Sequence, residues 1–140
     1  MTAVVVVGVD GSEQARRALT WAAEEAKLRG ARLRVVHVWS YLAQTGEAFD
    51  PTYGDDDARR LLQEAVAGLG DGVDIELTAV CDLPARGLLD SSQDADLLVV
   101  GARGMGGFGG LLLGSVSQQV AQHAPCPVVI VPQPKDLAPA

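Results

Sequence analysis

The sequence predicts an α/β domain in which a parallel sheet is covered by helices on both faces. Strand-like apolar runs alternate with segments of helical period along the whole chain. The first run, Ala3 to Val9, is continuous in Val rather than alternating, which is the pattern of a strand buried on both sides. Repeated alternation of this kind, joined by right-handed crossovers, closes into a parallel sheet. The 140 residues suit one core, and with 48% hydrophobic but only 4% aromatic content that core must be built from Val, Leu, Ile and Ala.

After the first strand, Asp10-Gly11-Ser12 supplies turn and capping chemistry. Ala15, Ala18, Leu19, Ala22, Ala23 and Ala26 then recur at helical spacing as far as Gly30, a natural C-cap, and these small residues allow close approach to a sheet. Arg32 to Trp39 reads as the second strand. Ser40 to Gly54 is a long connection without periodicity, the kind of segment that serves as a lid or partner surface. Asp55, Asp56 and Asp57 favour the positive end of a helix running to about Gly70, and Val73 to Val80 is the third strand. Leu83 to about Ser92 is a third helix, with Pro84 in its first turn and Asp82 placed to cap it. Asp96 to Val100 is a fourth strand, Ser115 to His123 a fourth helix, and Pro127 to Val131 a final strand. The expected domain is 1–134, followed by a tail at 135–140. Ligands of such a sheet gather where strand order reverses, beyond the carboxyl ends of strands 1 and 4.

A net charge of −7 and the lack of any basic cluster argue against nucleic acid as a partner. No stretch approaches the ~20 apolar residues of a membrane span, so no membrane partner is expected and a cytoplasmic location is. Cys81 and Cys126 lie outside any metal-ligand or CxxC spacing and are expected to be reduced, largely buried thiols. His37, within an apolar strand, and His123 read as structural.

The most informative segment runs from Val99 to Ser117. Seven of the 16 glycines fall between Gly101 and Gly114, and from Leu97 to Pro134 there is no Asp or Glu, with Arg103 the only full positive charge. An acidic chain has cleared its carboxylates from one glycine-rich loop, which suits an anionic ligand. The GxxxxGK[ST] pattern is absent, since no Lys occurs between Arg103 and Lys135. Gly104-x-Gly106-x-x-Gly109 matches the dinucleotide pattern in letters only: it follows the fourth strand, and no acid waits about 20 residues on to hold a ribose, so NAD and FAD are rejected. Gly101-x2-Gly104-x9-Gly114-Ser115 fits better. Loop amides and those of Ser115, Val116 and Ser117 can converge on phosphate oxygens, the helix dipole and two hydroxyls reinforce them, Gly101 and Gly104 would clear room, and Arg103 could neutralise a phosphate.

This pattern, the opening Val5-Val6-Val7-Gly8-Val9-Asp10-Gly11-Ser12, the strand Val36-His37-Val38 and the ending Ser117 to Val129 resemble the universal stress protein family, over nearly the whole chain. The resemblance implies a flavodoxin-like, Rossmann-like three-layer sandwich with five parallel strands and about four helices. It implies ATP as ligand, with Mg or Mn held mainly by the phosphates. By resemblance, Gly8, Val9 and Asp10 border the adenosine, with Asp10 on ribose or base, and Val38 meets adenine through its backbone. Gly101, Ala102, Arg103, Gly104, Met105, Gly106 and Gly107, with Gly114, Ser115, Val116 and Ser117, hold the phosphates. It also implies a homodimer through the last strand, Val128 to Val131, whose flanking Pro127 and Pro132 mark an edge. The expected activity is nucleotide binding in stress response or regulation rather than fast turnover, because the Lys, the metal carboxylate and the water-orienting residue of rapid phosphoryl transfer are missing. The alternatives are a slow ATPase or autophosphorylating protein, an interaction module acting through Ser40 to Gly54, and a cyclic-AMP-binding regulator.

Overall fold

A computed structural model describes residues 2–40, 51–102 and 113–133. Its elements follow the expected order: β1 (Val4–Gly8), α1 (Glu13–Arg29), β2 (Arg32–Trp39), α2 (Asp55–Val66), β3 (Asp74–Cys81), α3 (Pro84–Asp90), β4 (Leu97–Gly101), α4 (Ser115–His123) and β5 (Val128–Val131). The five strands form one parallel sheet in the order β3-β2-β1-β4-β5. Strand order reverses between β1 and β4, so the carboxyl ends of these two strands diverge into a cleft.

The strands are buried on both faces because helices cover both. Val5, Val7, Leu33, Val35, Leu97 and Val99 pack against the Ala-rich stripe of α1 and Leu62 of α2. The alternate residues Val4, Val6, Val36, Leu98 and Val100 pack against Leu88 of α3 and Val120 of α4. A side-chain period of two thus divides one apolar run between two cores. The small residues of α1, with Ala18, Ala22 and Ala26 wholly buried, let that helix lie directly on the strands. At the opposite edge from the cleft, Asp96 pins the strand starts: its carboxylate accepts from the Val4 amide at 2.8 Å, and its amide donates to the Val4 carbonyl at 2.9 Å.

Several boundaries differ from expectation for local reasons. The second helix ends at Val66 rather than near Gly70, and Gly70 and Gly72 take positive φ values of 72° and 101° in the turns that follow. The third helix starts at Pro84 with Leu83 as N-cap and no side-chain cap; the Asp82 carboxylate accepts from Leu83 N at 2.7 Å and pairs with Arg86 at 4.0 Å, so it does not cap the helix. The expected burial of both thiols is also corrected. Cys81, the last residue of edge strand β3, is exposed and Cys126 is half-buried. Among the described residues no helix is long and apolar enough to cross a membrane.

Candidate functional site

On the β1 side of the cleft, the turn into α1 is set by its own residues. Gly11 adopts φ 86°, a conformation that L side chains rarely take. The Asp10 carboxylate accepts from Ser12 N at 2.9 Å, and Ser12 Oγ in turn accepts from Ala15 N at 3.1 Å as the N-cap of α1. Asp10 therefore braces the turn it occupies, in addition to any ligand contact.

The ladder between β1 and β2 ends with Val9 N donating to the Val36 carbonyl at 2.8 Å. Main-chain groups alternate in direction along a strand, so those of Val38 point to the same side as those of Val36, past the end of β1. Val38 is held from the other face. Its methyl carbons stand 2.6 Å from where a side chain on Gly87 of α3 would begin, so only glycine at 87 leaves this packing undisturbed. Gly8 similarly admits Leu88 of the same helix, whose Cδ2 lies 2.8 Å from a notional Cβ.

His37 is buried on the α1/α2 face beside this turn. Its Nδ1 lies 2.8 Å from the Val9 carbonyl, which can only accept, so Nδ1 carries the proton. Nε2 then accepts from the Tyr53 hydroxyl at 2.9 Å. Burial lowers the pKa of His37 below its ordinary 6.5, outweighing the bond to Val9 and the charge of Asp10. The lowered value favours the neutral ring, with Nδ1 donating to Val9. Tyr53 sits just ahead of α2, edge-on to Trp39 with ring centroids 5.8 Å apart, and burial raises the pKa of its hydroxyl.

On the other side of the cleft, Ala102 and Gly114 form the neck of the glycine-rich segment. The Ala102 carbonyl accepts both Gly114 N at 2.8 Å and the Ser117 hydroxyl at 2.6 Å. Gly114 is the N-cap of α4, and the first intrahelical bond runs from Gln118 N to Gly114 O, so the amides of Ser115, Val116 and Ser117 precede it. No acidic residue lies in that first turn. Two expectations change here. Ser117 is buried and its hydroxyl proton is committed to Ala102, so this residue can offer a ligand its amide but not its side chain. The space before Gly101 is filled by α1, since a Cβ there would sit 3.2 Å from the Gln14 carbonyl oxygen. Glycine at 101 seats a helix rather than clearing room for a ligand. The expectations for Arg103, Gly104, Met105, Gly106 and Gly107 lie outside the described residues.

A profile of the Universal stress protein family matches residues 1–132. The chain belongs to that family. A universal stress protein of Mycobacterium tuberculosis is 39% identical over 135 residues, which cover 94% of this chain and 46% of that protein. This universal stress protein thus spans about half the length of the curated relatives it matches. Among solved structures, it is similar to a universal stress protein in complex with cAMP, at 32% identity and TM-score 0.71 over 92% of this chain and 95% of that one. It is also similar to the universal stress protein from Archaeoglobus fulgidus in complex with dAMP, at 29% identity and TM-score 0.68 over 94% and 98%.

Gly8, Val9, Asp10, Val38, Gly101, Ala102 and the start of α4 all lie at the carboxyl edge of the sheet. Sequence reasoning missed Tyr53 and Gly87. Tyr53 stands in an aperiodic connection, and Gly87 is a lone glycine within a helical pattern. The second carried a usable signal, since an interior glycine in a helix marks close packing.

Proposed function

We propose that this universal stress protein binds an adenine nucleotide, ATP by preference, across the β1/β4 cleft. One observation carries the reading: the three leading amides of α4, in a first turn without an acidic residue, lie on the β4 side of the cleft whose β2 side ends at Val38. Val38 offers an amide and a carbonyl to the edge of a purine, and Asp10 is placed for ribose or base. Gly114, Ser115, Val116 and Ser117 supply amides to the phosphates, and Arg103 with Gly104 to Gly107 completes the anion site. Relatives solved with cAMP and with dAMP support adenine as the base. A divalent ion, Mg or Mn, would ride on the phosphates, which are the hard oxygen ligands such ions favour. The activity is binding within a stress response in the cytoplasm, by a unit spanning 1–134.

The two sheet edges support pairing with a second copy through β5. The β3 edge is guarded by charge: Arg32 pairs with Asp74 at 3.0 Å, and Arg34 pairs with Glu76 and, at 2.7 Å, with Asp94. Val128, Val129 and Ile130 of β5 are half-buried and apolar, an edge that needs cover. A solution mass near 14.6 kDa rather than about twice that would remove the homodimer.

The deciding experiment is mass spectrometry of the ligand released on denaturing purified protein, followed by calorimetry of the stripped protein with AMP, cyclic AMP, ADP and ATP. An adenylate in the first and saturable binding in the second are expected. Correctly folded, stripped protein that binds none of the four overturns the reading.

A further inference from the structure

In a parallel ladder the next bond after Val9 N to Val36 O would run from the Val38 amide to the Val9 carbonyl. That bond is not made; the Val9 carbonyl instead accepts from the imidazole of His37, at 2.8 Å. A side chain thus ends the ladder one step early. The imidazole is steadied in this task by Tyr53, whose hydroxyl bonds Nε2 at 2.9 Å, while the Val9 carbonyl, which can only accept, holds the proton on Nδ1. Tyr53 reaches it from the far side of the 41–50 connection, immediately before α2, and packs edge-on to His37 with ring centroids 6.2 Å apart.

We propose that His37, set by Tyr53, is a positioning residue for the purine: by drawing the Val9 carbonyl, just past β1, to its imidazole it keeps the Val38 amide free to read the base. This rests on the adenine-nucleotide reading above. Without His37 the carbonyl of Val9 and the amide of Val38 are the obvious partners for each other. The ladder would then extend by one bond and the purine would lose a donor. The phosphate end, built on α4 from the other half of the sheet, would be untouched.

The test uses calorimetry with AMP, ATP and inorganic tripolyphosphate on the whole chain and three variants. His37→Phe keeps a ring but donates nothing, and should lose roughly tenfold in affinity for AMP and ATP alike, the scale of one directed hydrogen bond, with tripolyphosphate binding unchanged. His37→Asn places its amide nitrogen where Nδ1 stood and should restore most of that loss, which a merely space-filling role for histidine would not allow. Tyr53→Phe removes the bond to Nε2 but leaves Nδ1 donating to Val9, so its loss should be smaller than that of His37→Phe. Hydrogen exchange at the Val38 amide supplies a readout free of ligand: it should be fast in the wild type and slowed in His37→Phe. Wild-type affinity for AMP in a folded His37→Phe variant, equal losses in His37→Asn and His37→Phe, or a tripolyphosphate loss matching that for AMP, each overturns this inference alone. A wild type that binds no adenylate defeats the nucleotide reading and this inference with it.

Discussion

The two flanks of the cleft are made of different materials. On the β1/β2 flank side chains hold the main chain in place: Asp10 and Ser12 set the turn, and His37 and Tyr53 fix Val9. On the β4/α4 flank the main chain itself presents the chemistry, with Ala102, Gly114 and the leading amides of α4 drawn together by Ser117. The contrast follows from what each flank would hold. A flat, neutral base is read by a few groups at fixed positions, whereas an anionic tail needs positive potential and many donors. Perturbing charge should therefore damage the α4 flank most, and perturbing geometry the β1/β2 flank.

The largest effect is expected from a carboxylate at the start of α4. Ser115→Asp puts an acid in a first turn that has none, where the helix dipole favours it by about 0.3–1 kcal/mol. The fold should become slightly more stable to urea. Nucleotide affinity should move the other way. Two like charges about 4 Å apart repel by about 4 kcal/mol at an effective dielectric of 20, so ATP binding should fall by a hundredfold or more, and AMP binding by less. Calorimetry that finds ATP affinity intact in this variant would break the comparison, because the α4 amides would then not face phosphate.

The same contrast can be sharpened with glycines at two strand ends. Gly101 abuts the backbone of Gln14, which cannot swing aside, so Gly101→Val should cost about 1–3 kcal/mol by overpacking against α1. Gly8 abuts the tip of the Leu88 side chain, which can rotate. Gly8→Ala should therefore cost less than about 1 kcal/mol, since the rearranged leucine stays within a rotamer well. Urea midpoints measured side by side decide it, and equal losses would mean that α1 yields as easily as a leucine tip. Next in size is Ser12→Ala, which removes the cap of α1 and should cost about 1 kcal/mol in the same measurement. AMP affinity should change little, because Ser12 Oγ serves Ala15 rather than the cleft.

How much of this could be read from the sequence depended on whether the signal was local. The Val4–Gly8 strand, the alanine stripe of α1 and the carboxylate-free run after Leu97 are written in single segments, and the order of elements along the chain follows from their alternation. The Gly101-x2-Gly104-x9-Gly114-Ser115 pattern is likewise written in one segment, between β4 and α4. What escaped was pairwise. Nothing in the sequence joins Tyr53 to His37 or Gly87 to Val38, because those contacts exist only once α2 and α3 are laid on opposite faces of β2. The role expected of Gly101 failed likewise: a glycine near a ligand and a glycine under a helix are identical until α1 is placed. Ser117 was misjudged because a hydroxyl one turn into a helix can face a ligand or a carbonyl, and only the fold brings Ala102 within reach.

The smallest effect separates the flanks by acidity. His37 titrates below its ordinary 6.5 in the folded protein, chiefly because it is buried, so below that pH the unfolded chain binds more protons than the folded one. Its contribution to stability is then complete above about pH 6.5 and is lost as the pH falls through that value toward the lowered folded pKa. Asp94 does not interfere, since the hydrogen bond from Arg34 holds its carboxyl below 3.8, under this window. The urea midpoint of the wild type should drop between pH 7.5 and 5.5, and the drop should shrink in His37→Asn, which keeps a donor for Val9 without a group that charges. Ser115, Val116 and Ser117 carry nothing that titrates in this range, so a loss of tripolyphosphate binding there would come from protonation of the ligand, whose phosphates titrate at about pH 6, and not from this flank. A midpoint that falls equally in both proteins would place the sensitive group elsewhere and leave the neutral imidazole without energetic weight.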